Sequence, residues 1–151
     1  MKLDYRRTEV DPSPICPSGI VYRPMVTLRI GGSARSAYLR ALIDTGANHT
    51  IVPFSVAENV AAELYRDKQD AAKGIGGQEI TIIPGRVELE LLGDGQSYKW
   101  TAVVGFAKFD SPDDECSILG HAGCLEYFLA SFDGVERVVE LVQIGDFPSV
   151  A

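Results

Sequence analysis

The order of hydrophobic and polar residues along the chain predicts short β-strands. Apolar and polar positions alternate over residues 25–30, a glycine-rich turn follows at 31–34, and a second strand is predicted over residues 35–43. Alternation with a period of two is typical of a strand with one buried face, and the intervening turn predicts that these two strands pair as a hairpin. Further strands are predicted at residues 49–52, 86–92, 98–104, 117–119 and 138–142.

Two short helices interrupt this β pattern. Ser55 and Glu58 have the spacing of a capping box, with Ser55 as the N-cap and Glu58 as the third helical residue. Apolar residues then recur at helical intervals, which predicts a helix as far as about residue 65. A second short helix is predicted over residues 121–129. The pattern therefore predicts a mostly β fold with one or two short helices.

The beginning of the chain is patterned differently from the rest. Prolines stand at positions 12, 14, 17 and 24, and each one fixes φ and removes a backbone donor. We therefore expect residues 1–24 to form an irregular N-terminal arm and residues 25–151 to form a single domain.

Composition and charge narrow the classes of function. The chain has 151 residues, of which 46% are hydrophobic and 23% are charged, as in one globular domain. A net charge of −7 disfavours binding to nucleic acid or to an anionic membrane surface. The sequence has no apolar run of the ~20 residues that a membrane span needs, and its first residues do not resemble a secretory signal. We therefore expect a soluble, cytoplasmic protein.

The cysteines and histidines do not predict a metal site. Cys16, Cys116 and Cys124 are odd in number and form no C-x-x-C motif, and His49 and His121 are the two histidines. This inventory favours free thiols in a reducing compartment and no bound metal.

One segment has the residue types of a catalytic loop. Three apolar residues at 41–43 lead directly to Asp44, which is followed by Thr45 and Gly46. Glycine permits a tight turn in which backbone N–H groups approach the carboxylate and favour its ionised form. The Thr45 hydroxyl can both donate and accept a hydrogen bond. The segment therefore indicates a carboxylate held at the end of a buried strand.

The chain resembles the retropepsin-like aspartic proteases, the single-domain relatives of pepsin. The resemblance rests on four elements in family order: LIDTGA at 42–47 with HTIVP at 49–53, GIGGQ at 74–78, ILG at 118–120 before a short helix, and FDGVERVVEL at 132–141. It covers roughly residues 25–142. The family implies a closed β-barrel and an aspartic endopeptidase that hydrolyses peptide bonds without a cofactor.

The resemblance also implies roles for particular residues. Asp44, Thr45 and Gly46 match the catalytic motif, and Ala47 and Asn48 match positions that contact the peptide substrate. The flap over the substrate is expected to contain Lys73, Gly74, Ile75, Gly76, Gly77 and Gln78. Viral members often carry an acid and an arginine where this chain has Asn48 and His121, so these two are expected to form at most a hydrogen bond.

A single Asp-Thr-Gly motif implies two chains. The family mechanism uses two carboxylates that share one proton. The Asp94-Gly95 and Asp133-Gly134 pairs lack the apolar lead-in and are predicted to be turns. A working enzyme is therefore expected to be a homodimer. The alternative is a non-proteolytic module, or a dimeric scaffold, that keeps the fold and binds a peptide or a protein.

Overall fold

A computed structural model of the chain describes residues 1–74 and 76–148. In chain order these residues form β1 (Lys2–Asp4), β2 (Arg6–Glu9), β3 (Ile20–Arg23), β4 (Met25–Gly31), β5 (Ser36–Ile43), β6 (Ile51–Pro53), α1 (Phe54–Val60), β7 (Glu63–Leu64), β8 (Asp70–Lys73), β9 (Glu79–Gly93), β10 (Gln96–Ala107), β11 (Ile118–Leu119), β12 (Phe128–Asp133) and β13 (Val138–Gln143). Short 3₁₀ helices lie at Pro112–Asp114 and Leu125–Tyr127.

Six strands form a closed barrel. They follow one another in the order β10, β6, β11, β5, β4 and β9, and the ring closes because β9 also pairs with β10. The β4–β5 and β9–β10 pairs are antiparallel hairpins, whereas β11 pairs with β5 and β6 pairs with β10 in parallel. The predicted mostly β, closed-barrel fold is confirmed, as is the hairpin predicted between residues 25 and 43.

The barrel interior is filled by the apolar positions of the alternating strands. Val26, Leu28 and Ile30 of β4 are buried, and the intervening residues face outward. Trp100 on β10 is also buried, and its indole Nε1 donates a hydrogen bond to the Gly123 carbonyl oxygen at 2.8 Å. Burying an indole with its N–H satisfied makes this residue part of the core.

The N-terminal segment is not irregular throughout, so that expectation is wrong in part. β1 pairs with β13, and β2 pairs with β3 to form a separate two-stranded ribbon. Pro12, Pro14 and Pro17 lie in the loop between β2 and β3, and Pro24 lies between β3 and β4. Because the prolines fall outside the strands, they interrupt no ladder hydrogen bond. The boundary between an arm and a domain stays a prediction.

Helix α1 departs from the prediction at both of its ends. α1 begins directly after Pro53 without a side-chain cap, and the Ser55 hydroxyl donates instead to Glu115 Oε2 at 3.3 Å. The helix ends at Ala61, which has a left-handed φ of 56°, so residues 63–64 are free to join the sheet. None of the helices in the described part of the chain is long and apolar enough to cross a membrane.

The helix predicted over residues 121–129 is wrong. Only Leu125–Tyr127 forms a 3₁₀ helix, and β12 begins at the next residue. Gly123 has a φ of +88°, which is incompatible with a continuous right-handed helix. Phe128 then packs edge-on against Tyr98 and Trp100, so tertiary packing overrides the local pattern here.

Candidate active site

Asp44 lies at the end of barrel strand β5. Its backbone N–H donates to the Leu119 carbonyl oxygen at 3.1 Å, which extends the parallel pairing of β5 with β11 by one residue. Ala41 and Ile43 are buried and anchor the strand from inside the barrel. The apolar lead-in therefore holds the backbone of Asp44 in a fixed position.

The loop turns sharply around the Asp44 side chain. The Gly46 N–H donates to Asp44 Oδ1 at 2.8 Å, and the Ala47 N–H donates to the Asp44 carbonyl oxygen at 3.2 Å. A Cβ on Gly46 would lie 3.2 Å from the same Oδ1, so a larger residue would crowd the carboxylate. The expected approach of a backbone donor to the carboxylate is therefore present.

A second segment crosses directly behind this loop. The His121 N–H donates to the Ala47 carbonyl oxygen at 3.0 Å, and the Ala122 N–H donates to the Asn48 carbonyl oxygen at 2.9 Å. A Cβ on Gly120 would lie 2.7 Å from the Ala47 carbonyl oxygen and would also overlap the His49 backbone. Gly120 is required here because the two backbones pass too close together for any side chain.

Thr50 is a residue of this crossing that sequence reasoning did not single out. Its side chain is buried, and its Oγ1 accepts a hydrogen bond from the Gly120 N–H at 3.3 Å. Its backbone N–H donates to the Ala122 carbonyl oxygen at 3.0 Å. The sequence signal that could have identified Thr50 is a hydroxyl residue at the start of an apolar strand, because a buried hydroxyl needs a hydrogen-bond partner.

His121 contacts the Asp44 loop through its ring. His121 Nε2 lies 2.8 Å from the Thr45 carbonyl oxygen. A carbonyl oxygen can only accept, so Nε2 carries the proton in this contact. A hydrogen bond was the most that the sequence allowed between the side chains of Asn48 and His121. It is not among the hydrogen bonds of the described residues, and Asn48 is held through its backbone.

The loop lies at the surface of the single chain. Thr45, Gly46 and Asn48 are exposed, whereas Asp44 and Ala47 are half-buried.

The two other Asp-Gly pairs have the predicted turn roles. Asp94 and Gly95 form the tight turn between β9 and β10, and Asp133 Oδ1 accepts the N–H groups of the turn that follows β12.

The expected flap is a β-hairpin formed by β8 and β9. The Gly74 N–H donates to the Gln78 carbonyl oxygen at 3.0 Å, and Gly76 and Gly77 have left-handed φ values of +98° and +79°. Lys73 pairs with Glu79 at the base of this turn at 3.4 Å. Ile75, also predicted to belong to the flap, lies outside the described residues.

A groove of about 1060 Å³ runs between the flap and the barrel. The flap contributes Ala72, Lys73, Gly74, Gln78, Glu79, Ile80 and Thr81, and the rest of the lining comes from Ile51, Ala107, Lys108, Phe109, Asp110, Asp114, Cys116 and Ile118. The residues at positions 44–48 do not line it. One chain therefore brings the flap to β6 and β11, which flank the Asp44 loop, but does not bring the flap to Asp44 itself.

Comparison with known proteins gives one family. Residues 21–108 match the family model described as retroviral aspartyl protease, and this range includes the Asp44 loop and the flap hairpin. None of the curated proteins matches the sequence. Among solved structures, EIAV protease complexed with the inhibitor HBY-793 is similar, at 20% identity and a TM-score of 0.41, over 66% of this chain and 82% of that one.

Proposed function

Because the chain belongs to the retroviral aspartyl protease family, we propose that it is an aspartic endopeptidase whose active site is built from two copies of the chain. Each copy contributes Asp44, and the substrate is an extended segment of another polypeptide. The observation that carries the proposal is the loop at Asp44, in which Gly46 donates to Oδ1 while Leu119 and His121 fix the backbone from behind.

The two carboxylates act as a pair in this proposal. Two carboxyl groups a few ångströms apart do not both ionise easily, so one holds a proton and the other does not. The ionised Asp44 takes a proton from a water molecule as the water oxygen attacks the scissile carbonyl carbon. The protonated Asp44 gives its proton to the carbonyl oxygen, which produces a tetrahedral gem-diol. The proton taken from water then passes to the amide nitrogen as the C–N bond breaks, and one gem-diol hydroxyl returns its proton to the carboxylate pair as the carboxylic acid product forms. The reaction needs no cofactor.

The neighbouring residues bind and orient the substrate. Thr45 of each subunit hydrogen-bonds across the two-fold axis, and Ala47 and Asn48 contact the substrate backbone. The flap residues Lys73–Gln78 close over the extended peptide and exclude water. Support for this movement is that a Cβ added at Gly74, Gly76 or Gly77 would meet no other atom within 4 Å, so the flap tip has open space around it.

The surface of the single chain offers a place for the second copy. β12 is one of the two edge strands of the sheet β1–β13–β12, and Leu129 on β12 lies opposite Val142 on β13. Leu129 is 55% exposed, and exposed apolar side chains also occur at Phe132 on the same strand, at Val142 opposite Leu129 and at Ile144 just after β13. An apolar strand edge of this kind is suited to pairing with another chain. We assign this sheet, formed by β1, β12 and β13, to the dimer contact.

The proposal is tested by replacing the carboxylate. We expect Asp44→Asn to lower peptide cleavage by at least about 10³-fold, because an amide can neither accept the water proton nor share one. The matched control is Asp94→Asn, which makes the same chemical change in a turn where Asn is also favoured. Cleavage that survives in Asp44→Asn would show that the proposed site is wrong.

A peptide-binding module is the second candidate. It is favoured by the groove, which is lined by the flap and the barrel of one chain without any contribution from residues 44–48. Such a module needs no second Asp44 and works as a monomer. Sedimentation of the purified chain discriminates between the two, since an aspartic protease of this size must dimerise.

A further inference from the structure

Three arginines from different strands meet on the outer face of the barrel. Arg6 on β2 lies directly opposite Arg23 on β3, so both side chains project from the same face of that ribbon. The Arg6 guanidinium reaches across to the barrel, where Nη2 donates to Thr27 Oγ1 at 3.3 Å. Thr27 in turn lies opposite Arg40 on β5. We call Arg6, Arg23 and Arg40 the arginine cluster.

The arginine cluster lacks acidic partners among the described residues. Arg7 and Arg29 form ion pairs with glutamates at 3.0 Å, whereas no member of the cluster forms one. Arg6 Nε is buried and has no hydrogen-bond partner. Like charges on directly opposite residues of a strand pair are destabilising. Other arginines of the described residues also lack an ion pair, so the cluster is distinguished by holding three arginines from three strands, one of them with a buried, unpartnered Nε, in a chain of net charge −7.

The cluster lies on the same side of β5 as the proposed catalytic residue. Ala41 and Ile43 point into the barrel, so Arg40, Leu42 and Asp44 share the outer face. With a rise of about 3.3 Å per residue, Arg40 lies about 13 Å from Asp44 along the strand. Arg23 lies near the same end of β5, because the carbonyl oxygen of Pro24 accepts a hydrogen bond from the Ile43 N–H at 3.0 Å.

We propose that the arginine cluster is a docking site for an acidic stretch of polypeptide. Guanidinium groups bind carboxylates in a planar, two-pronged geometry. The cluster presents three guanidinium groups from three strands, and this arrangement matches a polypeptide that carries several carboxylates. The position about 13 Å from Asp44 along β5 favours a polypeptide over a small anion, because a bound chain is long enough to extend from the cluster to Asp44. In terms of the proposed function, on which this last step rests, that polypeptide is the substrate.

The test is a binding measurement that does not depend on cleavage. The probe is a fluorescein-labelled octaglutamate peptide, and anisotropy is measured with full-length chains that all carry Asp44→Asn so that the probe stays intact. The test variant adds Arg23→Gln and Arg40→Gln, both at exposed positions. The matched control adds Arg35→Gln and Arg86→Gln, which remove the same charge from exposed arginines outside the cluster.

The proposal predicts that the control binds octaglutamate as tightly as the parent and that the test variant binds at least ~10-fold more weakly. Equal affinity in the test variant and the control would overturn it. So would displacement of the peptide by inorganic phosphate at equal or lower concentration, which would make the cluster a phosphate site. Cleavage is measured separately with wild-type chains, and an arginine cluster that binds octaglutamate in a wild-type protein that cleaves no peptide contradicts the proposed function alone.

Discussion

His121 Nε2 lies 2.8 Å from the carbonyl oxygen of Thr45, so a side chain from the segment after β11 holds the loop that carries Asp44. The backbone of His121 is tied to the same loop, since its N–H donates to the Ala47 carbonyl oxygen at 3.0 Å. One residue thus contacts the loop at two points on either side of Gly46. We infer that His121 is a positioning residue for the carboxylate.

This role predicts different results for two substitutions at His121. His121→Leu removes the donor, and we expect kcat for peptide cleavage to fall roughly fivefold, the equivalent of one hydrogen bond of about 1 kcal/mol. His121→Gln keeps an N–H donor and is expected to retain most of the activity. KM should change little in either variant, because the role assigned to His121 is to position the Asp44 loop and not to bind the substrate. Full kcat in His121→Leu would contradict the assignment.

Gly120 is expected to tolerate no side chain. A Cβ at this position would meet the Ala47 carbonyl oxygen at 2.7 Å, and backbone atoms cannot move aside as a flexible side chain can. We expect Gly120→Ala to lower the free energy of unfolding by at least ~2 kcal/mol, measured by urea denaturation. Gly134→Ala is the control, because its Cβ would meet no atom within 4 Å. Equal stability of the two variants would contradict the close crossing.

Alkaline pH should destabilise the fold through Cys124. Burial, reinforced by nearby Glu126, raises the pKa of the Cys124 thiol to about 12. An unfolded chain loses this proton near the usual value of about 8.5, so it binds fewer protons than the folded chain above that pH. The free energy of unfolding therefore falls as pH rises from about 9 towards 12.

The measurement compares urea unfolding at about pH 8 and about pH 10.5. We expect the fall in stability to be smaller in Cys124→Ala than in the wild type, because the variant has no thiol to ionise on unfolding. Cys16→Ala, in the loop between β2 and β3, serves as the control. An identical fall in Cys124→Ala and in the wild type would show that the buried thiol does not contribute.

Leu129 tests the proposed dimer contact. It is 55% exposed on edge strand β12, and a glutamate there would place a charge in an apolar interface. We expect Leu129→Glu to raise the dimer dissociation constant at least ~10-fold in sedimentation equilibrium and to lower activity in parallel. Ile15→Glu makes the same kind of change at a residue that is 97% exposed in the β2–β3 loop. A dimer equally stable in both variants would place the contact elsewhere.

Local patterns predicted the parts of the fold that local physics determines. The alternation around Val26 and Leu28 and the turn that follows predicted the β4–β5 hairpin, and the apolar lead-in placed Asp44 at a strand end. The 121–129 helix was wrong because a left-handed Gly123 and the packing of Phe128 against Trp100 override the helical spacing. Neither effect is visible in a window of neighbouring residues.

The candidate site combines local and distant features. The Asp44–Thr45–Gly46 motif was readable from its residue types, but the support that it receives from Thr50 and His121 depends on a crossing of segments some 70 positions apart along the chain. Pairings of this kind require the closed barrel. The arginine cluster was missed for the same reason, since it joins a ribbon inside a segment that we expected to be irregular.

The most direct test of the composite active site is the activity of mixed chains. Wild-type and Asp44→Asn chains are combined in equal amounts, dissociated and allowed to reassociate at random. If one site needs Asp44 from both subunits, activity per total protein falls to about one quarter of the wild-type value. A value of about one half would mean that each chain acts on its own, and it would contradict the account.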